Sequence, residues 1–215
     1  MLWVAIIPTN MLKGIFRGLW HLVRLMPSNY FLFSVITSNR VIVTCDSQYR
    51  NIYFIDERNH ESFVQAITDP EAYVAENGPF DGLMAFSNGA SLGASVLVHK
   101  LQQDRIQQHL YPLLKFAVLF CGGILEDPRT LLQQNLVRLL DPQTDGEAIG
   151  IPTAHIWGVN DTLYPNFGPD LCRKDMREEY KHHGWHEITG LRDKVDVINS
   201  VRVIRRTIER ALAVQ

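Results

Sequence analysis

Cysteine is scarce in this chain: Cys45, Cys121 and Cys172 are the three in 215 residues. Their odd number and wide spacing exclude a disulfide framework and a paired-cysteine metal site, so a reducing, cytoplasmic setting is expected. Charge imbalance is also missing, with 21 Lys and Arg against 23 Asp and Glu. A chain so near neutrality carries no broad basic field for a phosphate backbone, and no nucleic-acid partner is expected. Its basic grouping, Arg202, Arg205, Arg206 and Arg210, is interleaved with Val201, Ile204, Ile208 and Leu212 at helical spacing. That pattern is the solvated face of a terminal amphipathic helix. Long apolar runs are absent too. Residues 1–7 lack a basic start and meet Pro8 too early for a secretory core, and residues 19–36 are broken by His21, Arg24, Pro27, Ser28 and Asn29. A soluble protein with no membrane partner is the expectation. Of the eight histidines, no two flank a Glu on one helix face in the manner of a zinc protease, so no metal or cofactor is expected. No repeat, low-complexity stretch or linker divides the chain, which reads as one domain over 1–215.

What is present is an alternation of short apolar runs with longer helical patterns, the mark of a mostly parallel sheet covered by helices on both faces. Residues 2–7, 31–36, 83–86, 116–120 and 154–157 read as strands, apolar on both parities as strands buried on two sides should be. Residues 90–101 and 194–213 read as helices, and 131–140 as a third between Asp127-Pro128 and Asp141-Pro142. Residues 37–60 are the least legible, with room for one or two further strands or an irregular excursion.

The sharpest local signal is Phe80-Asp81-Gly82-Leu83-Met84-Ala85-Phe86-Ser87-Asn88-Gly89-Ala90, an apolar strand running into a serine and then small residues. It fits a nucleophile elbow, a strained strand-to-helix turn that demands small residues two before and two after the serine. Ala85 and Gly89 meet that demand, with Ala85 standing where Gly is usual. A literal G-x-S-x-G follows as Gly89-Ala90-Ser91-Leu92-Gly93. Ser91 has no strand before it and falls a turn inside the helix, where its hydroxyl can bond back to a carbonyl and its small neighbours allow close helix-to-sheet packing.

An elbow serine needs a histidine to remove its proton and a carboxylate to orient that histidine, and in an α/β-hydrolase the chain order is Ser, acid, His. Ile151-Pro152-Thr153-Ala154-His155-Ile156-Trp157-Gly158-Val159-Asn160-Asp161 reads as a late strand ending in a turn with an acid, and strand carboxyl ends are where open-sheet sites lie. The other reading of Asp161 is a cap for the following turn. His186 comes 25 residues later, in His182-His183-Gly184-Trp185-His186-Glu187-Ile188, just ahead of the terminal helix. His182 and His183 share the loop and compete for the role of base.

These residues resemble the fungal family serine hydrolases, and within them the polyketide-releasing thioesterases of the lovastatin-pathway type. The resemblance covers residues 77–212 and rests on Gly78-Pro79-Phe80-Asp81-Gly82, on Phe116-Ala117-Val118-Leu119-Phe120-Cys121-Gly122-Gly123, on Ile151-Pro152-Thr153 leading to Gly158 and Asp161, and on Val203-Ile204-Arg205-Arg206-Thr207-Ile208. It implies an α/β-hydrolase fold and a triad of Ser87, Asp161 and His186. It also implies an oxyanion hole built from the backbone of Asn88 and of the loop after the first strand, where Ile6-Ile7-Pro8-Thr9-Asn10 keeps only the family's Thr-Asn pair. Pro8 cannot donate, which leaves Thr9, Asn10 and their immediate successors, with Asn10 taken as the second donor. The N-terminal region is otherwise atypical of the family. The activity implied is a thioesterase acting in trans on an acyl chain held by a polyketide synthase carrier. The alternatives are a general carboxylesterase and a noncatalytic binding protein on a hydrolase scaffold.

Overall fold

The structure, a computed structural model, describes residues 3–7, 32–37, 40–44, 60–77, 80–103, 114–123, 125–162, 168–189 and 193–213. In chain order the elements are β1 Trp3–Ile7, β2 Leu32–Thr37, β3 Arg40–Thr44, α1 His60–Asn77, β4 Gly82–Phe86, α2 Asn88–Gln103, β5 Phe116–Phe120, α3 Pro128–Gln134, α4 Pro142–Asp145, β6 Thr153–Gly158, β7 Arg177–His182 and α5 Lys194–Ala213, with a 3₁₀ turn at Gly168–Leu171. The seven strands form one sheet in the order β3-β2-β1-β4-β5-β6-β7. Strands β4, β5, β6 and β7 are mutually parallel, which brings their carboxyl ends to one edge. β1 is parallel to β2 but antiparallel to β4, and β2 is antiparallel to β3.

Both faces of β4, β5 and β6 are buried. Leu83, Ala85, Ala117 and Leu119 pack with Ala90, Ala94, Leu97 and Val98 of α2. The opposite parity, Phe86, Phe116, Val118, Phe120, Ala154 and Ile156, packs with Val203, Ile204, Ile208 and Ala211 of α5. This two-sided burial is why these runs are apolar throughout. Helix α2 lies close to the sheet because Gly93 has no side chain: a Cβ there would stand 2.8 Å from Leu83 Cδ2.

Helix α1, His60–Asn77, was not expected, and two further elements differ from the sequence reading. The helix expected over 131–140 begins at Pro128, capped by the Asp127 carboxylate on the Arg129 N–H, and stops at Gln134 because Asn135 turns left-handed at φ 57°. The chain then doubles back, so that Leu139 bridges Glu126 and Arg138 bonds to both Asp127 and Asp145. Strand β7, with the sequence Arg-Glu-Glu-Tyr-Lys-His, shows no apolar run because it is the edge strand and is largely half-exposed.

His155 is a polar side chain placed in the core. It is 2% exposed, and its Nε2 lies 3.2 Å from Thr153 Oγ1. Burial, with the Arg177 charge adding to it, lowers its pKa from 6.5 to about 3. The unfolded chain therefore binds this proton below pH 6.5 while the folded chain refuses it, so the stability tied to neutral His155 is complete above pH 6.5 and is lost progressively towards pH 3. The unfolding free energy of the wild type, from urea titration, should fall more steeply than that of His155→Gln as pH drops from 6.5 to 5, by at most about 1.4 kcal/mol per pH unit. Parallel slopes in the two proteins would refute a buried neutral histidine.

Candidate active site

Ser87 is the single residue between β4 and α2, and the backbone must reverse there without the room that a regular turn provides. It does so with φ at 57°, a conformation that costs a non-glycine residue and is held here by the surroundings. The Ser87 N–H donates to the Phe120 carbonyl at 2.9 Å, while its own carbonyl accepts from Ala90 and Ser91 at 2.8 and 3.2 Å. The small residues on either side, Ala85 and Gly89, are both buried. Asn88 is the first residue of α2, so its N–H belongs to the first turn, whose amides have no intrahelical acceptor and lie at the positive end of the helix dipole.

The structure brings Ser87, His186 and Asp161 into one hydrogen-bonded chain. The Ser87 hydroxyl donates to His186 Nε2 at 2.7 Å, and His186 Nδ1–H donates to Asp161 Oδ2 at 2.7 Å. The proton belongs on Nδ1, because the carboxylate facing it can only accept. The Asp161 side chain is 2% exposed and His186 is 23% exposed, so the acid is shut from water while the imidazole keeps an open edge. The Phe86 ring lies against the imidazole at 5.1 Å between centroids.

This meeting depends on two loops sharing backbone. Val159 N–H donates to the His182 carbonyl at 2.9 Å, Asn160 N–H to that of Gly184 at 3.3 Å, and Asn160 Nδ2 to that of His183 at 3.0 Å. Such closeness requires Gly158, where a Cβ would lie 2.3 Å from the Trp185 oxygen and 2.4 Å from that of Gly184. On the far side, Asp196 at the start of α5 accepts from the His183 N–H at 3.0 Å and from the Tyr180 hydroxyl at 2.5 Å. The sequence reading missed Gly158, Tyr180 and Asp196 as parts of the site. Gly158 alone carried a signal, as a glycine closing an apolar strand.

The other candidates sit elsewhere. His182 is buried with Nδ1 accepting the Gly184 N–H at 3.1 Å, and burial lowers its pKa. His183 points to Asp196 with most of its side chain in solvent. Ser91 lies inside α2, and its hydroxyl accepts the Gly123 N–H at 3.0 Å instead of bonding back along the helix. Asn10 lies outside the described residues. β1 runs antiparallel to β4, pairing Ile7 with Gly82 and Trp3 with Phe86.

Cys121, at the carboxyl end of β5, was given no part in the site by the sequence reading. It too is left-handed, at φ 48°, and its thiol donates to the Glu187 carbonyl at 3.5 Å. Burial, reinforced by the Asp161 and Glu187 charges and only partly offset by backbone hydrogen bonds, pushes the thiol up to about 12, so it stays protonated and is no rival nucleophile at neutral pH.

With this geometry established, comparison with known proteins is decisive for the family: residues 39–198 match the Serine hydrolase (FSH1) family. The chain belongs to that family. It is 30% identical over 168 residues to Esterase FPY3 of Fusarium mangiferae, covering 77% of this chain and 73% of that protein. It is 40% identical over 112 residues to Family of serine hydrolases 3 of Saccharomyces cerevisiae, covering 49% and 38%. To Esterase OVCA2 of Bos taurus it is 34% identical over 113 residues, covering 52% and 44%. The chain thus spans less than half the length of the last two relatives. No described helix of this family member is long and apolar enough to cross a membrane.

Gly158→Ala should detach the two loops, since carbonyl oxygens of the backbone cannot yield to a methyl as a flexible side chain would. Overpacking of this kind costs about 1–3 kcal/mol in stability. Labelling by a fluorophosphonate should slow at least about tenfold, because small misplacements of catalytic groups cost that much or more. Wild-type labelling in Gly158→Ala would show that this contact does not hold the site.

Proposed function

We propose that the chain is a serine esterase or thioesterase with Ser87 as nucleophile, His186 as general base and acid, and Asp161 as the group that orients and stabilises the imidazolium. The carrying observation is the pair of 2.7 Å hydrogen bonds through His186, starting from a serine at a left-handed strand-to-helix turn. As Ser87 Oγ bonds to the acyl carbon, its proton passes to His186 Nε2 and then to the departing alcohol or thiol. Water, deprotonated by the same nitrogen, attacks the acyl-serine, releasing the acid and restoring the hydroxyl. In this reading the Asn88 N–H at the start of α2 stabilises the oxyanion, which its position in the first turn of the helix supports.

For the substrate, we propose an acyl thioester carried by a polyketide synthase, cleaved in trans. The resemblance of the motifs to that subgroup supports this, as does the apolar rim of the site: Trp185, next to His186, is 65% exposed, and Val159, in the turn that delivers Asp161, is 53% exposed. A general carboxylesterase is the second reading, favoured by two relatives that are named esterases.

Ser87→Ala should reduce turnover on the order of a million-fold and abolish fluorophosphonate labelling, while Ser91→Ala keeps most of both. Labelling that persists in Ser87→Ala and vanishes in Ser91→Ala would overturn the assignment. A carrier-bound thioester should be cleaved with at least about tenfold higher kcat/KM than a short soluble ester of the same acyl group, because binding energy from the carrier and chain can be used at the transition state. Equal values would select the general carboxylesterase.

A further inference from the structure

Acyl transfer by the triad uses one oxygen of Asp161 and makes no demand on Cys121, yet both groups are buried together behind His186. The Cys121 Sγ, a carboxylate oxygen of Asp161 and a ring nitrogen of His186 lie within 4.8 Å of one another. Cys121 is 2% exposed, and its thiol donates a long hydrogen bond to the Glu187 carbonyl. Asp161 Oδ1 is buried without a hydrogen-bond partner among the described residues, although its side chain is 98% buried. A buried carboxylate oxygen in that condition has desolvation uncompensated, and a cation would relieve it.

We propose that Cys121, Asp161 and His186 form a binding site for a thiophilic divalent cation such as zinc, and that occupancy switches the hydrolase off. Thiolate, carboxylate and imidazole are the donors zinc takes, with bonds of about 2.0–2.3 Å and a tetrahedral arrangement that leaves one position for water. Such bonds place donor atoms roughly 3.2–3.8 Å apart, so the cluster needs adjustments of about 1 Å. The exposed edge of His186 gives the ion a way in.

Binding accounts for its own protons. The thiol loses its proton to solvent on becoming a ligand. The imidazole nitrogen beside the carboxylate is Nδ1, and coordination there requires its lone pair, so the ring proton moves to Nε2. Nε2–H can then donate to Ser87 but cannot accept its proton. The metal therefore inverts the tautomer that catalysis needs. The inhibitory effect rests on the triad reading; the binding of the ion does not.

Two measurements on the full chain, first treated with chelator, keep these apart. In Ser87→Ala, which removes no metal ligand, titration with cadmium should develop the ultraviolet cadmium–thiolate charge-transfer band at one ion per chain. The band should vanish when Cys121→Ser is added, and the titration should weaken more than about tenfold when Asp161→Asn is added instead. In the otherwise wild-type protein, zinc but not magnesium should block ester hydrolysis and fluorophosphonate labelling. Cys121→Ser should raise the zinc concentration for half-inhibition more than about tenfold relative to its own zinc-free activity. No cadmium band in Ser87→Ala would overturn the site, and so would a band unchanged by Cys121→Ser. Zinc inhibition indifferent to Cys121→Ser would also overturn it, placing the ion elsewhere, as on His183, Asp193 and Asp196. A cadmium band that depends on Cys121, in a protein that hydrolyses nothing, would sustain the metal site while refuting the triad.

Discussion

The backbone of the 182–186 loop rests directly on Gly158, and that contact decides whether an acid on one strand and a base on the next can share a hydrogen bond. Asp161 leaves β6 and His186 leaves β7, two neighbouring parallel strands whose loops are tied together by backbone hydrogen bonds. With no side chain at Gly158, the carbonyls of Trp185 and Gly184 lie where a Cβ would be, and the Val159 and Asn160 amides are spent on the carbonyls of His182 and Gly184. The 2.7 Å bond from His186 to Asp161 is thus made on a preformed backbone platform. Asp196 closes the other side by holding the loop to the first turn of α5, whose apolar stripe is packed on β5 and β6. Burial of that stripe fixes the helix, the helix fixes the loop, and the loop fixes the imidazole.

The serine is delivered by a separate constraint. β4 and β5 run in parallel register from Gly82 opposite Phe116 to Phe86 opposite Phe120, and each is followed by a left-handed residue, Ser87 and Cys121. The sheet hydrogen bonds continue one step past the strand into each turn, from Ser87 N–H to Phe120 and from Cys121 N–H to Ile156. The strained residues are therefore gripped by the ladder. Strain distributed in this way places side chains at the edge of the sheet without surrendering the backbone to solvent.

How much of this could be read beforehand follows from which signals are local. The Ser87 turn announces itself because strand, nucleophile and small residues are contiguous, and α5 does so because Val201, Ile204 and Ile208 recur along one element. The roles of His182, His183 and His186 could not be separated by spacing, since all three lie in one loop, and the difference is which ring faces Ser87 and which is buried or solvated. Strand β7 was invisible because an edge strand has no reason to be apolar. Helix α1 was hidden by Pro70 within its span and by a mixed composition with little sidedness. The overextended helix after Pro128 failed on Asn135, which ends it by left-handed geometry that apolar periodicity does not register.

Strand direction carries the last step. The groups placed at the site come from the ends of β4, β5, β6 and β7, the four mutually parallel strands, and so share one edge by construction. β1 meets β4 in the opposite sense and has its own carboxyl end beside Gly82. An oxyanion has to be held by donors already in place, since reorganisation during the reaction forfeits most of their benefit. In the mechanism we propose, helix α2 fixes the Asn88 amide through its start after Ser87, in the same way that Gly158 fixes the meeting of His186 and Asp161. The hydrogen-bonded cluster of Ser87, His186 and Asp161 is consequently a property of the four-stranded parallel half and the two helices that clamp it, and the antiparallel join to β1 marks where that half ends.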